Sequence, residues 1–210
     1  PEQDNILFVA YFNTWGLFLK CRINHPGHFS CLVIISGGVF QSSKCSKQCF
    51  FCFHGKLTAW CAQYNAVTLK PEMARKFELE SLSGMESVGI VRFLMRLENP
   101  SVDIKNAIHA AINWFEQVKI KGYKWVEIIS KKESSGKDKI LIADSASTIW
   151  ARFYDLNTNE PFFCGRDSER KKIVAEIENE RRIGYAWYGN WPEKLLNIEY
   201  PEWSKKFGTK

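Results

Sequence analysis

Three arginines, Arg75, Arg152 and Arg166, are candidates to bind an acidic ligand. A guanidinium can hold a carboxylate through two parallel hydrogen bonds, which gives both affinity and orientation. Aromatic rings add flat surfaces on which a sugar or a base can stack. Four aromatic residues accompany Arg152 and Arg166 in the sequence: Trp150, Phe153, Tyr154 and Phe162. The commoner use of such aromatic residues is packing in the core of a protein.

Each of these arginines also has a carboxylate close by in the sequence. The candidate pairs are Arg75 with Glu72 or Glu78, Arg152 with Asp155, and Arg166 with Asp167. Surface arginines commonly form such local ion pairs, which contribute little to stability. Without further information, the residue types alone favour local ion pairs over a binding role.

A cysteine cluster is the second feature that could carry chemistry. Cys45, Cys49 and Cys52 have the C-x3-C-x2-C spacing that resembles the radical S-adenosylmethionine signature, in which three thiolates hold a four-iron cluster. So short a match in a Cys-rich stretch arises easily by chance, and no fourth ligand has zinc-site spacing. Chance is therefore the favoured interpretation. Cys61 and Cys164 are interpreted as buried small hydrophobic residues, with a disulfide left open.

Composition restricts the class of protein. The 210 residues are 45% hydrophobic and 25% charged, which is ordinary for a globular protein and excludes collagen-like or wholly disordered chains. The net charge of +6 makes an anionic partner plausible, whether nucleic acid, an anionic polysaccharide or a membrane surface. No run of 18 apolar residues exists, which argues against a membrane-spanning helix.

The elements that must position the arginines are predicted from periodicity. Ser83 and Glu86 match a capping box, and apolar residues follow it at helical spacing up to Asn99-Pro100. Ser101 then caps a second helix, whose apolar face is Ile104, Ile108, Ala111, Ile112, Phe115 and Val118. A third helix is predicted from Asp167-Ser168 to Gly184, with apolar positions Ile173, Ile177 and Ile183. Between the second and third helices we predict short extended segments at 126–129 and 139–142, joined by a flexible tip.

Several spaced motifs resemble the family 10 pectate lyases. The resemblance runs in order from Gly55 to Trp191. It is carried by Gly55-Lys-Leu-Thr-Ala-Trp-Cys-Ala-Gln63, Ser81-Leu-Ser-Gly84, Trp150-Ala-Arg-Phe-Tyr-Asp-Leu-Asn-Thr-Asn-Glu-Pro-Phe-Phe-Cys-Gly-Arg-Asp167, Ala175-Glu-Ile-Glu-Asn-Glu-Arg-Arg-Ile-Gly-Tyr-Ala-Trp-Tyr188 and Trp191-Pro192. It implies a mainly α fold, here a partial α/α toroid with long loops and short extended segments. It also implies calcium-dependent cleavage of extracellular polygalacturonate by β-elimination, with neither nucleic acid nor a membrane as partner.

The same resemblance assigns roles to the three arginines. Arg75 matches the Brønsted base, and Arg152 and Arg166 match the arginines that bind the acid groups of the substrate. A base role is unusual chemistry for a guanidinium, which is ordinarily always protonated. The calcium ligands of the family are expected upstream, so no metal ligand is assigned in this chain. Two departures from the family pattern are Tyr64-Asn65 in place of His-Asp and Ser168 in place of Gly.

The resemblance also suggests three segments. Residues 1–24 are interpreted as a weak remnant of lyase sequence, 25–54 as a Cys-rich interruption, and 55–210 as the C-terminal part of the catalytic domain. We expect residues 25–54 to lack a well-packed place in the fold. Because the chain starts at Pro1 and lacks the expected metal ligands, we interpret it as a fragment without a signal peptide that is inactive by itself. The alternatives are a non-catalytic remnant that binds acidic polysaccharide and a radical enzyme built on the cysteine cluster.

Overall fold

The computed structural model describes residues 17–24, 28–35, 38–45, 52–53, 56–65 and 70–207, with side chains described from Leu57 onward. In this part of the chain, antiparallel strands hold more residues than α-helices do. The predicted mainly α fold, a partial α/α toroid, is therefore wrong. The long β-branched and alternating stretches pair with each other as strands, and helices form at a few positions around them.

The described residues contain four α-helices. They are α1 (Glu86–Leu94), α2 (Val102–Val118), α3 (Asn179–Gly184) and α4 (Tyr200–Phe207). A 3-10 turn at Val174–Glu176 precedes α3, and a π-helical turn at Leu195–Glu199 leads into α4. No helix in the described part is long and apolar enough to cross a membrane.

The strands form small antiparallel sheets. A three-stranded sheet contains β1 (Leu17–Asn24), β2 (His28–Ile35) and β3 (Gly38–Cys45), and a second contains β7 (Ile120–Ile129), β8 (Lys137–Ala151) and β12 (Tyr188–Gly189). Three two-residue pairs complete the set: β4 (Cys52–Phe53) with β5 (Lys56–Leu57), β6 (Leu82–Ser83) with β9 (Phe153–Tyr154), and β10 (Phe163–Cys164) with β11 (Arg170–Lys171).

The two consecutive helices predicted from the sequence are confirmed. Helix α2 begins after Ser101, whose hydroxyl accepts a hydrogen bond from the N–H of Ile104 at 3.3 Å. Every predicted apolar residue of α2 is buried. This face packs against α1 and the aromatic core, where Trp150 Nε1 donates to the carbonyl of Phe115 at 2.8 Å.

The third predicted helix is wrong over most of its length. Residues 170–171 form β11, and α3 covers residues 179–184. The strand forms because Phe163 pairs with Lys171 and Cys164 pairs with Arg170. Ile173, expected on the buried face, is 58% exposed.

The predicted extended segments at 126–129 and 139–142 are confirmed, and they belong to a much longer hairpin. Strands β7 and β8 pair from Ile120–Ile149 to Ile129–Lys137. The register shifts between Lys121 and Tyr123, where Gly122 has a φ of 83° that favours glycine. The hairpin matters for the arginines because Arg152 follows directly after β8.

The prediction for residues 25–54 concerns how their side chains pack. Those side chains lie outside the described part of the chain, as does Cys49, so both the packing prediction and the cysteine-cluster alternative stay predictions. Cys61 and Cys164, in contrast, are described, and both are buried and free, as predicted from their sequence context.

Arg182 on α3 fastens the turn end of the β7–β8 hairpin. Its Nε and Nη2 each donate to one carboxylate oxygen of Asp138 at 2.8 Å, and Nη2 also contacts Glu133 at 2.8 Å. Asn179 adds a bond from Nδ2 to the carbonyl of Lys137 at 2.9 Å. The hydrogen bond from Arg182 is the main reason that the pKa of Asp138 lies below its usual value. Helix α3 and the hairpin are thereby held together.

We predict that Arg182→Met lowers the free energy of unfolding by about 3 kcal/mol, because it leaves Asp138 largely buried without its partner. The depressed pKa of Asp138 means that this contribution is present above about pH 4 and is lost as the pH falls through the folded-state pKa. The variant should therefore differ most from the parent at neutral pH. Urea unfolding at pH 7 and pH 3 measures both effects.

Lys137→Met is the matched control on the same hairpin. Lys137 pairs with Glu127 at 3.3 Å, but both side chains are about half exposed, so the loss should be at most about 0.5 kcal/mol. Equal decreases in the free energy of unfolding for Arg182→Met and Lys137→Met would contradict the assigned role of Arg182.

Candidate active site

Four arginines gather around two aromatic rings, those of Phe77 and Tyr185. We call Arg75, Arg152, Arg166 and Arg181 the arginine cluster. They come from four separate segments: Arg75 from the loop before β6, Arg152 from the junction of β8 and β9, Arg166 from the β10–β11 loop, and Arg181 from α3. All three arginines singled out from the sequence therefore belong to one cluster.

The Phe77 ring is shared by three guanidinium groups. The Cζ atoms of Arg75, Arg166 and Arg181 lie 5.5, 4.6 and 4.8 Å from its centroid. The negative face of an aromatic ring attracts such cations. The ring thus holds together three like charges that would otherwise repel each other.

The Tyr185 ring joins the fourth arginine to this arrangement. Arg152 and Arg181 lie 4.6 and 4.9 Å from its centroid, and its hydroxyl donates to Oε1 of Glu78 at 3.3 Å. Burial raises the pKa of the Tyr185 hydroxyl, so this group is a neutral donor. Tyr185 therefore connects Arg152 with the carboxylate that pairs with Arg75.

Three arginines of the cluster are paired with glutamates. Arg75 pairs with Glu78, Arg152 with Glu86, and Arg166 with Glu180, whose Oε1 lies 2.7 Å from Nε. The expected pairs with the neighbouring aspartates do not form. Asp155 binds Arg170 at 2.6 Å instead, and Asp167 binds Lys171 at 2.8 Å.

The pairing of Arg75 affects the chemistry that it can perform. The hydrogen bond with Glu78 raises the pKa of Arg75, which keeps the guanidinium protonated. Burial is the largest single influence on Glu78 and would raise its pKa, but the hydrogen bonds and charge of Arg75, together with the hydrogen bond from Tyr185, outweigh it and the pKa falls. In this state Arg75 is a cation that can bind an anion.

The Arg152–Glu86 pair is the buried member of the set. Nε of Arg152 donates to Oε1 of Glu86 at 3.1 Å, and Nη2 contacts the same oxygen. The other oxygen accepts from the hydroxyl of Ser83, which in turn accepts from the N–H of Glu86 at 2.9 Å. The hydroxyl of Ser83 thus accepts an N–H of the first turn of α1, although the helix begins after Met85, which forms no side-chain cap. The carboxylate of Glu86, expected to complete the capping box, holds Arg152 instead, because the N–H of Ser83 donates to Trp60.

The loop that carries Arg166 is held from behind by Glu178. Both carboxylate oxygens of Glu178 lie 3.1 Å from the N–H of Arg166. A Cβ atom on Gly165 would come within 2.5 Å of one of them, so any other residue here would displace the carboxylate of Glu178. Ser168, where the lyase pattern has Gly, adopts a left-handed φ of 69°. The backbone is thus left-handed at this position although the residue is not glycine, which carries a steric cost.

Sequence reasoning missed Phe77, Tyr185 and Arg181. Tyr185 and Arg181 lie in the lyase-like motif at 175–188. Its two adjacent arginines, followed by an aromatic residue, could have indicated a binding role for these side chains. Nothing in the local sequence separates Phe77 from the other phenylalanines, because its role depends on arginines that are distant along the chain.

The described residues bring no three His, Cys, Asp or Glu side chains into an arrangement that could hold a metal ion. A calcium site made from this part of the chain is therefore not supported.

The arginine cluster brings several guanidinium groups together on aromatic rings, which is the chemistry that a polyanionic ligand requires. The family model for pectic acid lyases matches residues 37–196, and the chain belongs to this family. The match begins inside the segment 25–54. No curated protein matches the chain significantly.

Solved structures of family 10 polysaccharide lyases resemble this chain. The lyase from Cellvibrio cellulosa is 35% identical with a TM-score of 0.64, over 74% of this chain and 46% of that chain. A mutant of that lyase in complex with trigalacturonic acid is 34% identical with a TM-score of 0.64, over 78% of this chain and 48% of that chain. This chain thus spans about half the length of the lyases that it resembles.

We predict that Arg152→Met lowers the free energy of unfolding by about 3 kcal/mol, because Glu86 stays buried without its partner. The double variant Arg152→Met with Glu86→Gln should recover part of that loss. Arg166→Met is the control, since both side chains of its ion pair with Glu180 are at least half exposed and the loss should be at most about 1 kcal/mol. Denaturant midpoints measure all three. A double variant as unstable as the sum of its parts would refute the pairing.

We predict that Ser168→Gly raises the free energy of unfolding by about 0.5–1 kcal/mol, because it removes the left-handed strain and a buried hydroxyl for which the described residues offer no partner. Asn159→Gly, at the other left-handed non-glycine position (φ 57°) in the described part, should instead cost about 1–2 kcal/mol. Its side-chain oxygen accepts from Trp114 Nε1 at 2.7 Å. Thermal unfolding of the two variants should show shifts of opposite sign.

Proposed function

We propose that this chain carries the substrate-binding and proton-abstracting arginines of a pectate lyase that acts on polygalacturonate. The observation that supports this most is the convergence of Arg75, Arg152 and Arg166, which lie far apart in the sequence, around Phe77 and Tyr185. A repeating uronate polymer offers a series of carboxylates, and guanidinium groups are suited to bind them in pairs of hydrogen bonds. The family match and the trigalacturonic acid bound to the Cellvibrio mutant agree with this class of substrate.

The proposed reaction is β-elimination. A base removes the proton next to the uronate carboxylate, the electron pair of that C–H bond forms the new double bond, and the bond to the glycosidic oxygen breaks. The oxygen leaves with the electron pair of the broken bond and takes up a proton from solvent. The activation barrier is high because that proton is only weakly acidic. Positive charge lowers the barrier, because it stabilises the developing anion. Arg152 and Arg166 would supply this charge and orient the uronate, while Arg75 would accept the proton.

A guanidinium can act as a base only after it has lost a proton, and its neighbours decide how readily that occurs. Glu78 opposes the loss, because its hydrogen bond raises the pKa of Arg75. Arg166 favours it, because two cations on one ring repel each other. We therefore propose that Glu78 turns away from Arg75 when the acidic substrate binds, and that its remaining bond to Tyr185 supports the released position.

Calcium dependence and an extracellular location are part of the proposal and come from the family. The calcium ligands would lie outside the described residues, in the part of the lyases that this chain does not cover. By itself the chain should then bind the polymer without cleaving it. The alternative function, a binding protein without catalysis, predicts the same result for the chain alone.

A chimera separates these two functions. We expect that joining the uncovered part of the Cellvibrio lyase to residues 55–210 yields calcium-dependent release of unsaturated uronate, measured by absorbance. In this chimera, Arg75→Ala should lower kcat about a thousandfold, the size expected when a general base is lost. Arg92→Ala is the control, because Arg92 pairs with Glu199 at 2.6 Å outside the cluster. Polymer binding without turnover would favour the alternative function, and full activity of Arg75→Ala would exclude Arg75 as the base.

The same chimera tests the interpretation of residues 25–54, which we propose to interrupt the lyase sequence. A second chimera that keeps these residues in front of Gly55 should be less stable and less active. If it matches the first in thermal stability and turnover, residues 25–54 belong to the lyase fold.

A further inference from the structure

Arg181 differs from the rest of the cluster in its surroundings. It is 6% exposed, and among the described residues it forms no ion pair. Its Nε and Nη2 both donate to the carbonyl of Cys164 at 3.3 Å, and three rings enclose the guanidinium: Phe77 at 4.8 Å, Tyr185 at 4.9 Å and Trp187 at 5.2 Å. Burial lowers the pKa of Arg181, as expected for a cation held away from water.

The fold by itself does not explain a cation at this position. A buried guanidinium without a carboxylate carries a desolvation penalty that an apolar side chain of similar volume would avoid. Arg182, the next residue, shows the contrast. It is also buried, but it binds two carboxylates and fastens the hairpin. The charge of Arg182 thus has a structural purpose, whereas that of Arg181 is directed at aromatic faces.

The contacts of Arg181 are also distributed differently from those of the other cations. Arg75 and Arg166 lie over the Phe77 ring, and Arg152 lies over the Tyr185 ring. Arg75 reaches Tyr185 through a side-chain hydrogen bond, which helps to raise the pKa of Arg75. Within the described part of the chain, Arg181 is the one cation that lies over the faces of both rings. It therefore links the half of the site that holds Arg75 and Arg166 to the half that holds Arg152.

We infer that Arg181 is a positioning residue, which fixes the Phe77 and Tyr185 rings relative to each other and so sets the spacing between the proposed base and the proposed substrate-binding arginines. It acts through the rings and does not touch the substrate. This inference rests on the proposed function for its effect on ligand binding, but the arrangement of the rings can be measured without any ligand.

The experiment compares Arg181→Met, Arg181→Lys and Arg182→Met in the complete chain. The first readout is the set of Phe77 ring resonances in the free protein, assigned with Phe77→Leu. The second is the affinity for trigalacturonic acid by calorimetric titration, and the third is the thermal midpoint. Methionine keeps the bulk of the side chain without its charge, and lysine keeps the charge without the planar donor group.

We expect Arg181→Met to shift the Phe77 resonances and weaken binding about tenfold, as one misaligned charge-assisted contact would. Arg181→Lys should recover part of both effects, because an ammonium is also attracted to the rings. Arg182→Met should show the reverse pattern: a lower thermal midpoint with unchanged Phe77 resonances and unchanged affinity below the transition.

Two results would overturn the inference: unchanged Phe77 resonances in Arg181→Met, or equal changes in Arg181→Met and Arg182→Met. If the parent chain does not bind trigalacturonic acid while the resonances shift as expected, the positioning role is supported and the proposed function is not. The two proposals therefore fail in distinguishable ways.

Discussion

The arrangement of the site depends on the junction formed by Arg152. Its side chain holds Glu86 at the start of α1, its N–H donates to the carbonyl of Trp187 at 2.8 Å, and its carbonyl accepts from Gly84 at 2.9 Å. These contacts join α1, the end of the β7–β8 hairpin and the segment that carries Tyr185 and Trp187. The approach is so close that a Cβ atom on Gly84 would lie 2.2 Å from the carbonyl oxygen of Ala151. One residue thus has both a structural and a proposed binding role.

This double role constrains how Arg152 can bind a uronate. Glu86 is buried, so releasing the guanidinium completely would leave an unpaired carboxylate, which is strongly unfavourable. Arg152 has further N–H donors beyond those directed at Glu86, and a substrate carboxylate can use these while the ion pair persists. Arg166 is in the opposite situation, because both side chains of its pair with Glu180 are at least half exposed and the pair can exchange for a ligand at little cost. Arg75 lies between these two cases: its guanidinium is half exposed, but Glu78 is 9% exposed and keeps a hydrogen bond from Tyr185.

The sequence predicted those parts of the structure whose causes are local. The buried face of α2 followed from a 3.6-residue period. The toroid prediction failed because residues 120–151 obtain their hydrogen bonds from each other across a long hairpin, and short strand pairs such as β10–β11 have no period to detect. Glu78 was one of the two candidate partners of Arg75, but the partner of Arg152 was unpredictable, since Glu86 lies 66 residues away. The aspartates near Arg152 and Arg166 bind other cations.

The two adjacent arginines on α3 make this short helix unusually intolerant of changes in length. Successive residues on an α-helix point about 100° apart. Arg181 therefore faces the rings of the site while Arg182 faces the hairpin. Inserting or deleting one residue before this pair would rotate both side chains away from their partners, although the composition of the helix would hardly change. In related sequences that keep this site, the exposed residues of α3 should thus vary in identity, while the number of residues in the helix should stay constant.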